Sequence, residues 1–500
     1  MELLLQNLGH GFGVALTIDN LLFALLGCLI GTAIGVLPGI GPVATISLLL
    51  PITFGQPATT AIIMLAGIYY GAQYGGSTTA ILLNLPGEVS SVVTTLEGYK
   101  MARNGRAGAA LTIAALGSFF AGTVATILVA ASGPLLTSIA LSFGPADYFS
   151  LMLLGLIISA VLAQGSVLKS IGMVVFGVAL GLVGTDVQTG QQRFTFGVPE
   201  LSDGIGFVSI AMGMFGIAEI ILNLERPEAR SVLTQKVGSL FLTKEEFRRA
   251  TPAVLRGTVV GSLLGILPGG GASLASFGSY MMERKVSRGR AQFGNGAIEG
   301  VAGPESANNA ASQTSFIPLL TLGIPANAVM ALMVGALIIQ GIQPGPRMVE
   351  AQPDLFWGLI ASMWIGNLML LVINLPMIGM WVKLLQVPYK YLYPSILVFC
   401  AIGVYSLNNN VFDVYQTVIF GILGYIFSKL RMEPAPLLIG FVLGPMMEEH
   451  LRRAMLLSRG DATVFIERPI SATMLGIGAV AILAMALPSL RKGKDKALAE

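Results

Sequence analysis

Two stretches of the chain gather side chains able to hold a small anion and a cation together. Tyr69 to Glu88 reads YYGAQYGGSTTAILLNLPGE, and Gly303 to Asn327 reads GPESANNAASQTSFIPLLTLGIPAN. Ser77, Thr78 and Thr79 follow a Gly-Gly pair, which permits unusual backbone angles and close approach of a ligand. With Ser77 opening a half-helix, free N–H groups and the positive dipole end would hold a carboxylate without Lys or Arg. Asn308, Asn309, Ser312 and Thr314 supply groups that both donate and accept. Together with Asn84 these seven are the candidate substrate ligands. The candidate cation-binding and backbone-break positions are Pro38, Gly39, Pro86, Gly87, Glu88, Pro268, Gly269, Gly323 and Pro325. Carbonyls freed beside these prolines suit Na⁺, and Glu88 suits a cation or a proton. No other cofactor and no catalytic residue is expected.

The elements that carry these residues are duplicated. Leu83-Asn84-Leu85-Pro86-Gly87 lines up with Leu322-Gly323-Ile324-Pro325-Ala326 at an offset of 239 (325 − 86). Upstream, GVLPGIGP from Gly35 lines up with GILPGGGA from Gly265 at an offset of 230 (268 − 38). Paired Gly/Pro-interrupted apolar segments in two halves point to the binding site of a secondary transporter. Glu88 and Asn327 occupy equivalent places after the two Pro breaks.

Of the 500 residues, 54% are hydrophobic and 11% charged, and the mean hydropathy is +0.78. Soluble domains carry about 25% charged residues. The class is therefore an all-α polytopic membrane protein, read as two inverted-topology repeats with re-entrant or broken helices and about 10–14 membrane segments. A net charge of +3, with basic residues interspersed among acidic ones, excludes a nucleic-acid footprint. Cys28 and Cys400 lie in apolar runs and offer neither a disulfide framework nor metal spacing. Met1 to Gly13 lacks the basic start and cleavage site of a signal peptide. The chain divides into a first repeat at 1–224, a linker at 225–250, a second repeat at 251–450, and a C-terminal loop, extra helix and basic tail at 451–500. The segments flanking Pro38 and Pro268 look too short to cross alone, which suggests re-entrant hairpins tipped by LPG turns.

Positive-inside bias places the linker, with Arg226, Arg230, Lys236, Lys244, Arg248 and Arg249, in the cytoplasm. Lys100, Arg103 and Arg106 follow the first polar motif, whereas ERKVSRGR (Glu283 to Arg290) precedes the second. Basic residues at opposite ends of equivalent elements are what inverted topology requires. Arg452, Arg453, Arg459 and Arg468 break this scheme, either because one crossing is miscounted or because they lie on a surface helix.

At these motifs the sequence resembles the large membrane subunit of the bacterial tripartite tricarboxylate transporters, the TctA family. The resemblance rests on GVLPGIGP, YGAQYGGSTTAILLNLPGE and Gly303 to Asn327, and runs from about residue 10 to 485. It implies a multi-pass permease of the bacterial inner membrane that works with a small four-helix membrane subunit and a periplasmic substrate-binding protein. It also implies Na⁺- or H⁺-coupled uptake of citrate or a related carboxylate.

Other readings of the same residues compete. Gly31, Gly35 and Gly39 also suit close helix packing. Glu88, Glu299 and Glu305 read as interfacial or functional, since they sit near predicted span ends, where charge is cheap, and Asp147 and Asp413 read as residues that cap or flank helices. Tyr69, Tyr70 and Tyr74 read as an interfacial belt, with gating as the alternative. A passive organic-anion channel would share the motifs. An intramembrane serine enzyme acting through Ser77 would need a base within reach, and His10 and His450 lie outside the polar stretches.

Overall fold

Glycine spacing decides which helices pair. In the computed structural model, which describes residues 2–37, 41–140, 142–163, 166–186, 188–225, 239–267, 271–288, 290–384 and 389–486, nearly all regular structure is helical. The first half runs α1 (Glu2–Ala15), α2 (Ile18–Val36), α3 (Pro42–Thr53), α4 (Ala58–Leu83), α5 (Val92–Met101), α6 (Ala107–Ala140), α7 (Pro145–Leu162) and α8 (Val167–Gly181). A two-stranded antiparallel ribbon, β1 (Gly184–Thr185) with β2 (Gln192–Arg193), precedes α9 (Phe207–Ala211), which continues through a π turn into α10 (Ala218–Glu225). The second half has α11 (Lys244–Leu264), α12 (Gly271–Val286), α13 (Glu299–Thr314), α14 (Phe316–Leu322), α15 (Ala328–Ile339), α16 (Met348–Ala351), α17 (Pro353–Asn374) and α18 (Ile378–Leu384). It closes with α19 (Tyr389–Asn408), α20 (Val411–Lys429), α21 (Ala435–Leu457), α22 (Val464–Glu467) and α23 (Pro469–Ala486).

Among the described residues, six helices are long and apolar enough to cross a membrane: Ile18–Val36, Val89–Gly133, Pro145–Leu162, Phe207–Glu225, Pro353–Asn374 and Val411–Lys429. Four shorter apolar helices accompany them. The chain is a multi-pass, all-α membrane protein. The LPG tips at Pro38-Gly39 and Pro268-Gly269 lie outside the described residues, as do residues 226–238 of the linker and the basic tail. The segments flanking those tips are longer than expected on one side: α2 has 19 residues and α11 has 21, against 12 for α3 and 16 for α12. A capping box at Thr243 and Glu246 starts α11 early, so Lys244 to Ala250 are helical.

In each half, a glycine row lets two helices touch backbone to backbone. A Cβ at Gly27, Gly31 or Gly35 of α2 would lie 2.2, 2.3 or 2.4 Å from the carbonyl oxygens of Met64, Ile68 and Ala72 on α4. The second half repeats the device, with Gly257 and Gly261 of α11 each 2.2 Å from the carbonyls of Gly303 and Ala307 on α13, and Gly265 against Ala311. Both series rise together along the two helices, so each pair is parallel. The short intervening helix, α3 or α12, must therefore carry the chain back. Packing is thus the role of Gly31 and Gly35, in the small-xxx-small manner of membrane helices.

The basic stretches converge on one end. Arg106 pairs with Glu246, Lys100 donates to the Gly294 carbonyl, and Asn104 donates to the Asn295 carbonyl at 3.2 Å. Arg249 holds Glu299 bidentately at 2.8 and 2.7 Å, which makes Glu299 a structural partner. Arg452 and Arg468, which broke the charge scheme, are neutralised locally. Arg452 bridges Glu448 at 2.6 Å and Asp186 at 3.1 Å, and Arg468 binds Asp147, which also caps α7 through the Gly144 N–H.

Candidate substrate and cation site

α4 is the buried axis of the molecule, with every residue from Thr60 to Leu83 inside. It stays helical straight through Gly75-Gly76-Ser77-Thr78-Thr79, so Ser77 does not open a half-helix and no N-terminal dipole points from it. The reason is packing: Gly67, Gly71 and Gly75 accept the backbone of α2 closely, and the hydroxyls bond back into the helices. Ser77 Oγ lies 3.0 Å from the Gln73 carbonyl, Thr78 Oγ1 donates to the Tyr74 carbonyl at 3.5 Å, and Thr79 Oγ1 donates to the Val36 carbonyl at 2.8 Å. Tyr69, Tyr70 and Tyr74 are likewise core residues and form no interfacial belt. Tyr74 donates to Asn367 Oδ1 at 2.7 Å.

The breaks come five residues later and match in detail. α4 ends on Asn84 at φ 59°, ψ 26°, and α14 ends on Gly323 at φ 74°, ψ 17°. Both are left-handed, a conformation natural to Gly and Asn. After the prolines, Glu88 (φ −150°, ψ 169°) and Asn327 (φ −157°, ψ 179°) each start a new helical turn. The helix starts expected at the polar stretches therefore lie here instead, at Glu88 and Asn327. Asn327 caps α15 by accepting from the Met330 N–H at 3.0 Å. Gly87 is wedged: a Cβ there would sit 2.1 Å from the Gly35 carbonyl and 2.5 Å from Gly76 Cα. Asn84 itself faces outward, whereas Gly323 and Pro325 are buried.

Each break docks on the core helix of the other half. Asn308 Nδ2 reaches Glu88 Oε1 at 3.4 Å, and Asn327 Nδ2 reaches the Tyr69 hydroxyl at 3.4 Å. Tyr69 and Asn308 are equivalent at the same offset of 239 (308 − 69) that relates Glu88 to Asn327. The two contacts are thus reciprocal.

Between α4, α5, α6 and α13 these side chains form one polar cluster. Glu305, 1% exposed, accepts from Ser77 Oγ at 2.5 Å and from Thr94 Oγ1. Asn309 donates to Ser118 Oγ at 2.7 Å and to the Glu305 carbonyl at 3.1 Å. Ser90 donates to Gln73 Oε1 at 2.9 Å and to Glu88. Ser312 and Thr314 return their hydroxyls to α13, on the Asn308 and Ala310 carbonyls. Tyr74, Ser77, Thr78, Ser118 and Asn374 line a cavity of about 10 Å³ with Leu111, Ala114 and Ala115. That is room for about one water.

Of the expected substrate ligands, Ser77, Asn308 and Asn309 meet in this cluster, Thr78 borders its cavity, and Asn84 stands apart. Glu305, which the sequence leaves open between an interfacial and a functional place, is at its centre. The signal was present: Glu305, Asn308, Asn309 and Ser312 recur at helical spacing and share one face. Thr94, Ser118, Ser90 and Gln73 carry no such mark, since their roles depend on contacts far along the chain. His10 pairs with Asp354 at 2.6 Å and His450 stacks on Tyr148, both outside the cluster.

Residues 21–439 match the tripartite tricarboxylate transporter TctA family. The chain belongs to that family. A TctA-family chain is a transporter component and not an enzyme. This one is similar to the uncharacterized 52.8 kDa protein in the TAR-I ttuC' 3' region of Agrobacterium vitis, at 61% identity over 497 residues that cover 99% of each chain. The uncharacterized protein in the TAR-II ttuC' 3' region of the same organism is 64% identical over 240 residues, which are 48% of this chain and 99% of that one. No solved structure gives a significant match. The TctA match spans both breaks and the whole polar cluster.

Proposed function

We propose that the chain is the permease subunit of a cation-coupled importer of citrate, another tricarboxylate or a related organic acid across the bacterial inner membrane. It works with a small four-helix membrane subunit and a periplasmic binding protein, and Na⁺ or H⁺ drives uptake. The observation that carries the reading is the reciprocal docking of the breaks, Glu88 on Asn308 and Asn327 on Tyr69. Contacts exchanged in this way are the mark of a two-fold relation, and a two-fold axis in the membrane plane relates inverted repeats. It supports two inverted halves that meet at a shared midplane site, with the basic end in the cytoplasm.

The carboxylate is held by Ser77, Thr78, Asn308 and Asn309, whose hydroxyl and amide donors need no fixed positive charge. A cavity with room for about one water is too small for such a substrate, so α4, α6 and α13 must part to admit it. That favours a carrier that alternates between packings over an open channel. Citrate uptake into proteoliposomes with both partners is expected to require an inward Na⁺ or proton gradient. Ser77→Ala and Asn309→Ala are each expected to lower the initial rate by about tenfold, the loss of one hydrogen bond to a charged group. Flux that ignores both gradients would replace the carrier with a channel. Two folded variants with wild-type uptake would remove the site assignment.

A further inference from the structure

In the cluster between the halves, two serine hydroxyls each face two acceptors, one of them a carboxylate. Ser77 carries one hydroxyl proton and faces two acceptors, the Gln73 carbonyl at 3.0 Å and Glu305 Oε2 at 2.5 Å. Ser90 repeats the pattern, with its single proton between Gln73 Oε1 at 2.9 Å and Glu88 Oε1. Glu305 Oε1 takes Thr94, and Glu88 Oε1 takes the Asn308 amide. Independently of the carboxylates, Asn308 is 0% exposed and its Oδ1 has no hydrogen-bond partner. A buried amide oxygen left unpaired costs about 1–3 kcal/mol, and this one belongs to an amide already seated on Glu88.

No basic residue offsets the two acids. The titratable groups that face them are Tyr69, beside Glu88, and Tyr74, beside Glu305, together with each other. Among the described residues no Lys, Arg or His bonds or pairs with either. Carboxylates within the helices of a membrane protein are expensive, and such residues mark ion pathways. Carboxylate, amide and hydroxyl oxygens are the ligand set of a hard cation.

We propose that Glu88 and Glu305, one from each half, hold a single coupling cation, Na⁺ or a proton, and that Asn308 Oδ1 completes the Na⁺ ligand set. The assignment rests on the importer reading and names its coupling site. The equivalent contact on the other side pairs Asn327 with Tyr69, an amide standing where the first contact has the Glu88 carboxylate. The axis therefore carries one charged site, not two. Filling it ties the first break to the second core helix, so that occupancy and the packing of the halves are linked.

The test uses the purified full chain in nanodiscs, with Na⁺ alone as the probe, so it does not depend on partners or carboxylate. Radiolabelled Na⁺ binding is measured beside infrared difference spectra of the carboxyl region against Na⁺ and against pH. Saturable Na⁺ binding with a carboxyl band change is expected, or, in the proton case, a protonated-carboxyl band that titrates with pH. Glu305→Gln is expected to weaken Na⁺ binding by about tenfold or more and to remove the band change in either case. Asn308→Ala keeps both acids, so it covers the event that Glu305→Gln does not fold. Weakened Na⁺ binding in that variant supports the Na⁺ ligand set, and an unaltered pH-dependent band supports the proton. Carboxyl bands that respond to neither ion, or a response that persists in Glu305→Gln, would overturn the site. A failed uptake assay with an intact cation response would instead indict the importer reading.

Discussion

Gly87→Ala is expected to reduce uptake by about tenfold or more while the protein still inserts, because overpacking a tight contact costs about 1–3 kcal/mol and tenfold corresponds to about 1.4. The added methyl would meet the Gly35 carbonyl at 2.1 Å and Gly76 Cα at 2.5 Å. Both obstacles are backbone, so no side-chain rotation can relieve them. Relief has to come from moving the break away from α2 and α4, and that shift displaces Glu88 from Asn308. The check is initial-rate uptake beside a size-exclusion profile of the purified variant. At Gly105, where a Cβ would meet nothing within 4 Å, the obstacle is only the positive φ. Wild-type uptake by Gly87→Ala would show that the wedge between Gly35 and Gly76 is not needed for transport.

The second large effect concerns stability. Glu283 is 0% exposed and is held bidentately by Arg256 at 2.8 and 2.6 Å, with Ser287 on the same carboxylate. Arg256→Met leaves a buried charge without its partner, an error worth about 3–5 kcal/mol. The low end applies, because the Arg256 side chain is 32% exposed. A markedly lower melting temperature in detergent is expected for the single variant. The double variant Arg256→Met/Glu283→Gln should recover most of it, since removing both charges leaves nothing to neutralise. If the single variant melts like the parent, the ion pair between α11 and α12 contributes little. The pair has no equivalent in the first half, where α2 and α3 carry neither basic residue nor glutamate.

The difference between these two predictions follows what each residue does. Gly87 shapes a place where three backbones meet, so its loss is read in transport. Arg256 balances the charge of a buried carboxylate at the edge of the second half, so its loss is read in folding.

Much of this was legible in the residues themselves. Composition alone determined a membrane class, because a chain with 11% charged residues cannot cover a soluble surface. The duplicated Pro breaks were local facts too: Asn84 and Gly323 tolerate left-handed backbone, and a proline two residues later forbids the helix to resume at once. Glycine rows at i, i+4 spacing announced close helix contacts, though not their partners. What the tertiary structure alone decided was where polar groups end up. Gly75 to Thr79 reads as a helix breaker in isolation, yet α2 covers its glycines and its hydroxyls bond back to carbonyls, so the helix runs on to Leu83. Glu305 reads as a span-end charge because hydropathy counts only neighbours in sequence. Its hydroxyl partners, Ser77 and Thr94, lie in the other half of the chain. A carboxylate's depth is set by what surrounds it in space, and those partners are more than two hundred residues away in the chain.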